Sequence, residues 1–248
     1  MLPVLVLGAL LQGTLASPVA LSASKFARQA SPVPFGQVID SCTVPGGFAL
    51  TFDDGPWIYT NELLDKLRQA NLKATFFVNG QNIGNIDDRQ PELQRMVNEG
   101  HQIGSHTFRH ADLTTLGDDQ VRAEMTQLDD KLRQLVGRTP TYMRPPYFAT
   151  NANVLRILSE MQYHVIDADI DTLDYQYATP ETNYQALDRF KSLFGGGGSI
   201  SLMHDWHVTT VQQLVPNVIA FLQEQQNNGR ISMTVGECLG DASQNWYR

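Results

Sequence analysis

The chain has 248 residues, of which 42% are hydrophobic and 18% are charged. This composition excludes a largely disordered chain, a coiled coil and a collagen-like fibre, and it supplies enough apolar residues for a sizeable core. Asp and Glu number 26 against 18 Lys and Arg, which gives a net charge of −8. We therefore expect no nucleic-acid partner, because binding to phosphates depends on clustered positive charge. Uncharged glycans remain open as partners.

The first residues, MLPVLVLGALLQGTLAS, form an apolar run that then turns small and polar. The run is too short to cross a membrane and has the length of a signal-peptide core, although no Lys or Arg precedes it. The alternative is a buried N-terminal helix. We predict a signal peptide at 1–16, a linker or removed pro-segment at 17–36 and one domain at 37–248. The protein is then secreted, extracellular or associated with the cell wall, with no stable membrane insertion.

The only two cysteines, Cys42 and Cys238, lie near opposite ends of the predicted domain. Outside the cell such a pair is expected to form a disulfide, and the ends of a domain often lie close together. The alternative is two unrelated buried thiols. The sequence favours a Cys42–Cys238 disulfide.

From Gln37 onward, short apolar runs alternate with amphipathic segments. The predicted strands are 47–54, 73–80, 101–106, 141–146, 163–170, 199–205 and 230–235. The predicted helices are 60–70, 91–100, 118–137, 151–161, 181–194 and 209–226. Nearly continuous apolar strands separated by helices indicate a parallel sheet covered on both faces. At least six strand–helix pairs in about 200 residues favour an α/β fold of the (β/α) barrel type, complete or incomplete, over an open sheet.

Side chains with acid, base or metal-ligating chemistry fall at the ends of the predicted strands. They are Asp53, Asp54, His106, His110, Arg144, Asp169, Asp171, Asp174, His204 and Asp205. Taken singly, DDGP is a typical turn sequence. An H-x-x-x-H spacing is more often two unrelated histidines than a pair of metal ligands. In a barrel, however, the carboxyl ends of the strands meet at one face. One carboxylate and two imidazoles suffice for an open zinc site, and a further acid and base complete the inventory for metal-assisted hydrolysis.

These residues lie in five motifs that resemble those of the polysaccharide deacetylases, the NodB-homology group known as carbohydrate esterase family four. The motifs occur in the order of the family: TFDDGP at 51–56, SHTFRH at 105–110, RPPY at 144–147, DTLDY at 171–175 and SLMHD at 201–205. Tyr175 departs from the Trp that often ends the fourth motif. Within the family the chain is most similar to fungal-type secreted chitin deacetylases.

The resemblance implies a fold, a reaction and a cofactor. The fold is a single-domain, distorted (β/α) barrel of seven or eight strands. The reaction is metal-dependent hydrolysis of N-acetyl groups from the N-acetylglucosamine units of chitin or chitin oligosaccharides, by a protein that we expect to be a monomer. The cofactor is one divalent metal ion, zinc in the first place and cobalt as the other candidate, held by Asp54, His106 and His110.

The resemblance also implies which side chains attack and stabilise the acetyl group. Asp53 is the general base, and Arg144 orients it. The backbone N–H of Tyr147 helps to form the oxyanion hole, and Leu202 lines the pocket for the acetyl methyl group.

A second set of residues is implied for protonation of the departing nitrogen. His204 is the general acid, and Asp171 orients it. Asp169 and Asp174 lie close enough in sequence to exchange roles with Asp171.

The motifs leave the polymer open, because they contact the acetyl group and not the chain that carries it. Peptidoglycan and acetylated xylan are alternative substrates. A catalytically silent, chitin-binding effector is an alternative of a different class. A silent module would be expected to lack an acid, a base or a metal ligand, and the motifs contain all three.

Overall fold

The structure, a computed structural model, describes Met1, Pro3, 31–225 and 229–248. The predicted signal peptide, apart from Met1 and Pro3, and residues 17–30 of the predicted linker therefore lie outside the described residues. Among the residues that are described, no helix combines the length and the apolar character that a membrane span requires.

Residues 33–36 lie against the domain, although we predicted them as part of the linker. Val33 is buried in an apolar cluster, and the Phe35 ring stacks on His164 with 4.4 Å between centroids. The Gly36 N–H donates to the carbonyl of Tyr163 at 2.9 Å. Packed structure thus begins a few residues before 37, where we placed the start of the domain.

The described residues form nine strands and seven α-helices. The strands are β1 (Val38–Ile39), β2 (Gly47–Asp53), β3 (Ala74–Val78), β4 (Gln102–Ser105), β5 (Tyr142–Met143), β6 (His164–Ile166), β7 (Ile170–Asp171), β8 (Ser201–His204) and β9 (Ile231–Met233). The helices are α1 (Thr60–Gln69), α2 (Gln90–Asn98), α3 (Asp118–Val136), α4 (Ala152–Glu160), α5 (Tyr184–Gly195), α6 (Val215–Gln225) and α7 (Val235–Cys238).

The strands form one curled, parallel sheet. Eight of them pair in the order β1-β6-β5-β4-β3-β2-β8-β7, and β9 pairs with β2 beside this path. The α/β barrel expected from the sequence is confirmed, with the eight-strand path inside the expected range of seven or eight.

The predicted strand at 163–170 is two strands, because the chain crosses here from one end of the sheet to the other. β6 lies next to β1, whereas β7 pairs with β8 at the opposite end of the path. In the crossing, the Asp167 N–H donates to the carbonyl of Ile39 at 2.7 Å, and the Asp169 N–H donates to that of Ile200 at 3.1 Å. Residues 167–169 therefore close the gap between the two ends of the curled sheet.

Successive residues of strand β2 point alternately to the apolar core and to the interior of the barrel. Phe48, Leu50 and Phe52 are buried in the large apolar cluster between the sheet and the helices. Each such side chain contributes about 1.5–3 kcal/mol when fully buried. Thr51 and Asp53 alternate with them and are buried on the inner face, since successive strand residues point to opposite sides. The inner face of β2 thus carries polar side chains toward the barrel interior.

The predicted helix at 209–226 is interrupted at its start. Thr210–Leu214 form one turn of π-helix, in which the Val215 N–H donates to the Thr210 carbonyl, and α6 follows. Pro216 has no N–H to donate, so the regular α-helical ladder is broken at this point. Helix α7 was not predicted, although Thr234 and Glu237 form the capping box that marks a helix start.

The predicted disulfide is confirmed. Cys42 and Cys238 are bonded, with 5.1 Å between their Cα atoms and 196 residues between them in sequence. The bond joins the segment before β2 to the end of α7, so it ties the two ends of the domain together.

Candidate active site

Five of the predicted site residues stand where strands of the sheet end. Asp53 ends β2, Asp171 ends β7 and His204 ends β8, while His106 and Arg144 directly follow β4 and β5. All the strands are parallel, so these ends meet at one face of the barrel. A cleft of about 450 Å³ lies at this face. Four of these five residues line it, and the fifth, Arg144, is buried behind them. Asp53 and His204 are directly opposite each other in the pairing of β2 with β8.

Asp53 is held by a fully buried arginine. The Arg144 Nη1 donates to Asp53 Oδ1 at 2.9 Å and to the Thr51 hydroxyl, and Nη2 donates to the carbonyl of Asp167 at 2.8 Å. The guanidinium also lies over the Phe77 ring, 4.5 Å from its centroid. Burial raises the pKa of Asp53, while the positive charge of Arg144 opposes this shift. The predicted contact between the two is present in the structure.

Asp54, His106 and His110 form a compact set of metal-ligating atoms. One carboxylate oxygen and one nitrogen from each histidine lie within 4.8 Å of one another. Asp54 Oδ1 is 3.6 Å from His106 Nε2 and 3.3 Å from His110 Nε2. Asp54 and His110 have φ angles of 74° and 57°, in the left-handed region that residues other than glycine rarely adopt. The backbone is thus held in unfavourable conformations that bring these side chains together.

The hydrogen bonds of the two histidines leave their Nε2 atoms available. His106 Nδ1 lies 2.7 Å from the Arg144 carbonyl, which can only accept, so Nδ1 carries the proton and Nε2 the lone pair. Burial lowers the pKa of His106 to about 3, which keeps the ring neutral. His110 Nδ1 lies 3.2 Å from the hydroxyl of Tyr147. Both Nε2 atoms therefore face Asp54, as a shared ligand set requires.

The acid that contacts His204 is Asp174 and not Asp171. His204 Nδ1 donates to Asp174 Oδ1 at 2.8 Å, and the His204 backbone N–H donates to Oδ2 at 2.7 Å. The Thr210 hydroxyl donates to the same Oδ2 at 2.7 Å. Burial alone would lower the pKa of His204, but Asp174, with smaller contributions from Asp54 and Asp53, outweighs it and raises the pKa to about 9. Burial would raise the pKa of Asp174, but the charge and the hydrogen bonds of His204 outweigh burial and lower it.

The turn after β7 explains why the prediction of Asp171 was wrong. Asp171 Oδ1 accepts the backbone N–H of Leu173, so this carboxylate shapes the turn instead of contacting His204. Leu173 has a φ of 53°, which reverses the chain and brings Asp174 to the histidine. Asp169 is used elsewhere, because it accepts the backbone N–H groups of Ser199 and Ile200.

The remaining predicted residues line the same cleft. Leu202 is almost fully buried in its wall, and Tyr147 is 69% exposed at its edge with a φ of 58°. Tyr175 lies edge-on to His204, with 5.5 Å between ring centroids. The apolar lining consists of Pro145, Tyr147, Phe148, Tyr175, Leu202 and Trp206.

Two side chains at the metal-ligating set were not predicted from the sequence. The indole Nε1 of Trp206 donates to Asp54 Oδ2 at 3.1 Å, and the amide of Asn82 donates to Asp54 Oδ1 at 3.2 Å. Both contacts join residues far apart in the chain. Trp206 directly follows the motif SLMHD, which is the one signal that could have indicated it.

Asp205 anchors the loop between β2 and α1, which begins with Asp54. Its buried carboxylate accepts the hydroxyl proton of Thr60 at the start of α1, and burial raises its pKa to about 7. Gly55 passes so close that a Cβ there would lie 2.1 Å from an Asp205 oxygen. Only glycine fits at this point of the loop.

Comparisons with known proteins identify the family of this chain. The sequence profile of the polysaccharide deacetylase family matches residues 40–166. A chitin deacetylase from Pestalotiopsis sp. is 51% identical over 229 residues, which cover 92% of this chain and 76% of the relative. The chain belongs to the polysaccharide deacetylase family.

Two further relatives bear on the substrate. A probable peptidoglycan-N-acetylglucosamine deacetylase from Arthroderma benhamiae is also 51% identical, over 87% of this chain, but the chain spans only 49% of its length. The solved structure of the chitin deacetylase from Colletotrichum lindemuthianum is similar with a TM-score of 0.83 and 42% identity. That match covers 87% of this chain and 97% of the other.

Proposed function

We propose that this protein is a chitin deacetylase, which hydrolyses N-acetyl groups of N-acetylglucosamine units to acetate and glucosamine units. The observation that carries the proposal is the position of Asp53 and His204, opposite each other on β2 and β8 beside three metal-ligating side chains. The names and coverage of the Pestalotiopsis and Colletotrichum relatives support chitin as the polymer.

Asp54, His106 and His110 would hold one divalent metal ion, and we propose zinc. The donor set fits this ion, because two neutral imidazole nitrogens and one carboxylate oxygen already converge within 4.8 Å. Cobalt is the other candidate, since the same ligands accept more than one divalent ion. When bound, the metal would polarise the acetyl carbonyl and lower the pKa of water.

Asp53 would act as the general base. In its ionised form it accepts a proton from the water that attacks the acetyl carbon, and Arg144 keeps the carboxylate in one orientation. The oxygen that becomes negative in this step would be stabilised by the backbone N–H of Tyr147. Leu202, buried in the wall of the cleft, would contact the acetyl methyl group.

His204 would act as the general acid, and Asp174 takes the orienting role that we had predicted for Asp171. A pKa of about 9 keeps the imidazole protonated at neutral pH. Because Nδ1 is bound to Asp174, the proton on Nε2 is the one available to the amide nitrogen. The C–N bond then breaks with an amine as leaving group, and acetate remains.

Peptidoglycan is the second candidate substrate, because the Arthroderma relative named for it is equally identical. The test is mass spectrometry of the products formed from chitin oligomers, peptidoglycan and acetylated xylan by the purified protein. Loss of acetyl groups from chitin oligomers at the highest rate is the expected result. Faster release from peptidoglycan or xylan would change the substrate, and no release from any of the three would indicate a silent glycan-binding module.

We also propose that the protein acts outside the cell as a monomer, with its domain starting near residue 37 after a signal peptide and linker. The Cys42–Cys238 disulfide supports an oxidising compartment. Secretion of the full-length chain with loss of its first 16 residues, and a mass in solution of one chain, are the expected results.

A further inference from the structure

The two carboxylate oxygens of Asp54 have different surroundings. Oδ1 is the oxygen that faces the histidines, at 3.3 Å from His110 Nε2 and 3.6 Å from His106 Nε2. Oδ2 accepts the indole N–H of Trp206 at 3.1 Å. Oδ1 is therefore directed at the two histidines, with the Asn82 amide donating to it as well at 3.2 Å, whereas Oδ2 accepts the indole N–H.

The indole N–H is well suited to keep this arrangement. It is a donor only and does not titrate, so the contact does not depend on pH or on a choice of tautomer. The Trp206 ring lies against the ring of His207, with 3.7 Å between centroids. The preceding residue, Asp205, is bound to Thr60 on α1. The donor is thus held in place by contacts on both sides along the chain.

We propose that Trp206 is a positioning residue that makes Asp54 bind its metal through Oδ1 alone. The inference rests on the proposed metal-dependent function. A carboxylate that binds through one oxygen occupies one coordination position, whereas a bidentate carboxylate occupies two. Holding Oδ2 on the indole therefore keeps more positions free for water and for the acetyl oxygen, which a catalytic metal site requires.

The test compares Trp206→Phe, which keeps an aromatic ring but loses the N–H, with Trp57→Phe. Trp57 is a suitable control because its ring packs against Gly84 and under the Arg89 guanidinium, and it is not among the residues that line the cleft. The affinity for Zn²⁺ is measured by competition with a chromophoric chelator, and the Co²⁺-loaded proteins are compared by visible absorption.

We expect Trp206→Phe to weaken Zn²⁺ binding about 10–100-fold, the usual effect of removing a partner of a metal ligand. The visible bands of its Co²⁺ form should lose intensity, because a second carboxylate oxygen raises the coordination number. Trp57→Phe should match the wild-type protein in both measurements. Equal affinity and an unchanged Co²⁺ spectrum in Trp206→Phe would overturn the inference while leaving the proposed function intact.

A second measurement does not depend on the folding of a variant. In the ¹⁵N-labelled wild-type protein loaded with Zn²⁺, the indole proton of Trp206 should exchange slowly with water. Rapid exchange would show that Asp54 has released the indole, and would overturn the inference. If the wild-type protein bound no Zn²⁺ at all, the proposed function would fail, and the inference with it.

Discussion

Asp53 and His204 occupy opposite positions on neighbouring strands, and each contacts one buried partner of opposite charge. On the base side the partner is Arg144, which stays charged at every accessible pH. On the acid side the partner is Asp174, a carboxylate that is itself titratable. Burial disfavours the charged forms of both Asp53 and His204. The pKa of Asp53 stays raised, so burial outweighs Arg144 there, whereas the pKa of His204 is also raised, so the carboxylates around it outweigh burial.

This difference indicates that the two limits of the working pH range have different origins. The acidic limit depends on how far burial raises the pKa of Asp53 against a fixed positive charge. The alkaline limit depends first on Asp174, the carboxylate that does most to support the charge of His204, with smaller support from Asp54 and Asp53. A substitution at Asp174 should therefore move the alkaline limit more than the acidic one.

The largest effect is expected for Asp53→Asn, which removes the base and keeps the shape of the side chain. Turnover should fall about 10²–10⁴-fold on every substrate, because no other group accepts the proton of the attacking water. Metal content, measured by atomic emission, should be unchanged since all three ligands remain. Substantial activity in this variant would show that the base side has been assigned to the wrong residue.

His204→Asn should produce a loss that depends on the leaving group. Hydrolysis of the amide should fall about 10²–10⁴-fold, because an amine leaves poorly without a proton. An activated aryl acetate, whose leaving group needs no proton, should be affected much less. The ratio of the two rates in wild type and variant measures this, and equal losses on both substrates would contradict the role of general acid.

Asp174→Asn should shift the alkaline limit of kcat/KM. In the wild-type protein activity should fall as the pH rises through about 9, where His204 loses its proton. Without the carboxylate, burial lowers the pKa of His204, and the limit should move about 1–3 pH units lower. Asp171→Asn is the matched control and should leave the limit in place. A shift in the control and not in Asp174→Asn would restore our original assignment.

The same pair should affect stability in a defined pH window. The folded-state pKa of His204 is raised from 6.5 to about 9, so the stabilisation is complete below pH 6.5 and is lost as the pH rises through 9. Denaturant unfolding of Asp174→Asn and wild type across this range should show a difference in stability that shrinks toward high pH.

The smallest effect is expected for Thr210→Val, which removes one hydrogen bond to Asp174 and nearly preserves volume. The free energy of unfolding should fall by about 1.5–3 kcal/mol, because the acceptor is charged. The alkaline limit should move much less than in Asp174→Asn, because the carboxylate remains beside His204. A shift as large as that of Asp174→Asn would mean that the hydroxyl, and not the negative charge, sets the pKa of the acid.

Much of this arrangement could be predicted from the sequence, because strand ends of a parallel barrel meet at one face. That rule predicts Asp53, Arg144 and His204 at one face, and in the structure Asp53 contacts Arg144 and lies opposite His204. It could not decide between Asp171 and Asp174, because the choice depends on the left-handed conformation of Leu173 in the turn between them. The contact of Trp206 with Asp54 was equally inaccessible, since it depends on how two loops 152 residues apart pack together.

The same limits apply to the fold. Long periodic segments such as α3 were predicted almost to the residue, whereas the two-residue β1 carries too little pattern to be recognised. The division of 163–170 into β6 and β7 follows from closure of the barrel, which no local pattern encodes.

The pairing of β2 with β8 has a consequence for how such proteins can diverge. Neighbouring strands are held about 4.8 Å apart by main-chain hydrogen bonds, so the separation of the Asp53 and His204 backbones is fixed by the sheet itself. Tyr147 and Tyr175, by contrast, stand on loops at the edge of the cleft. Descendants of one ancestor could exchange these loops and accept a different polymer while inheriting the reacting distance unchanged.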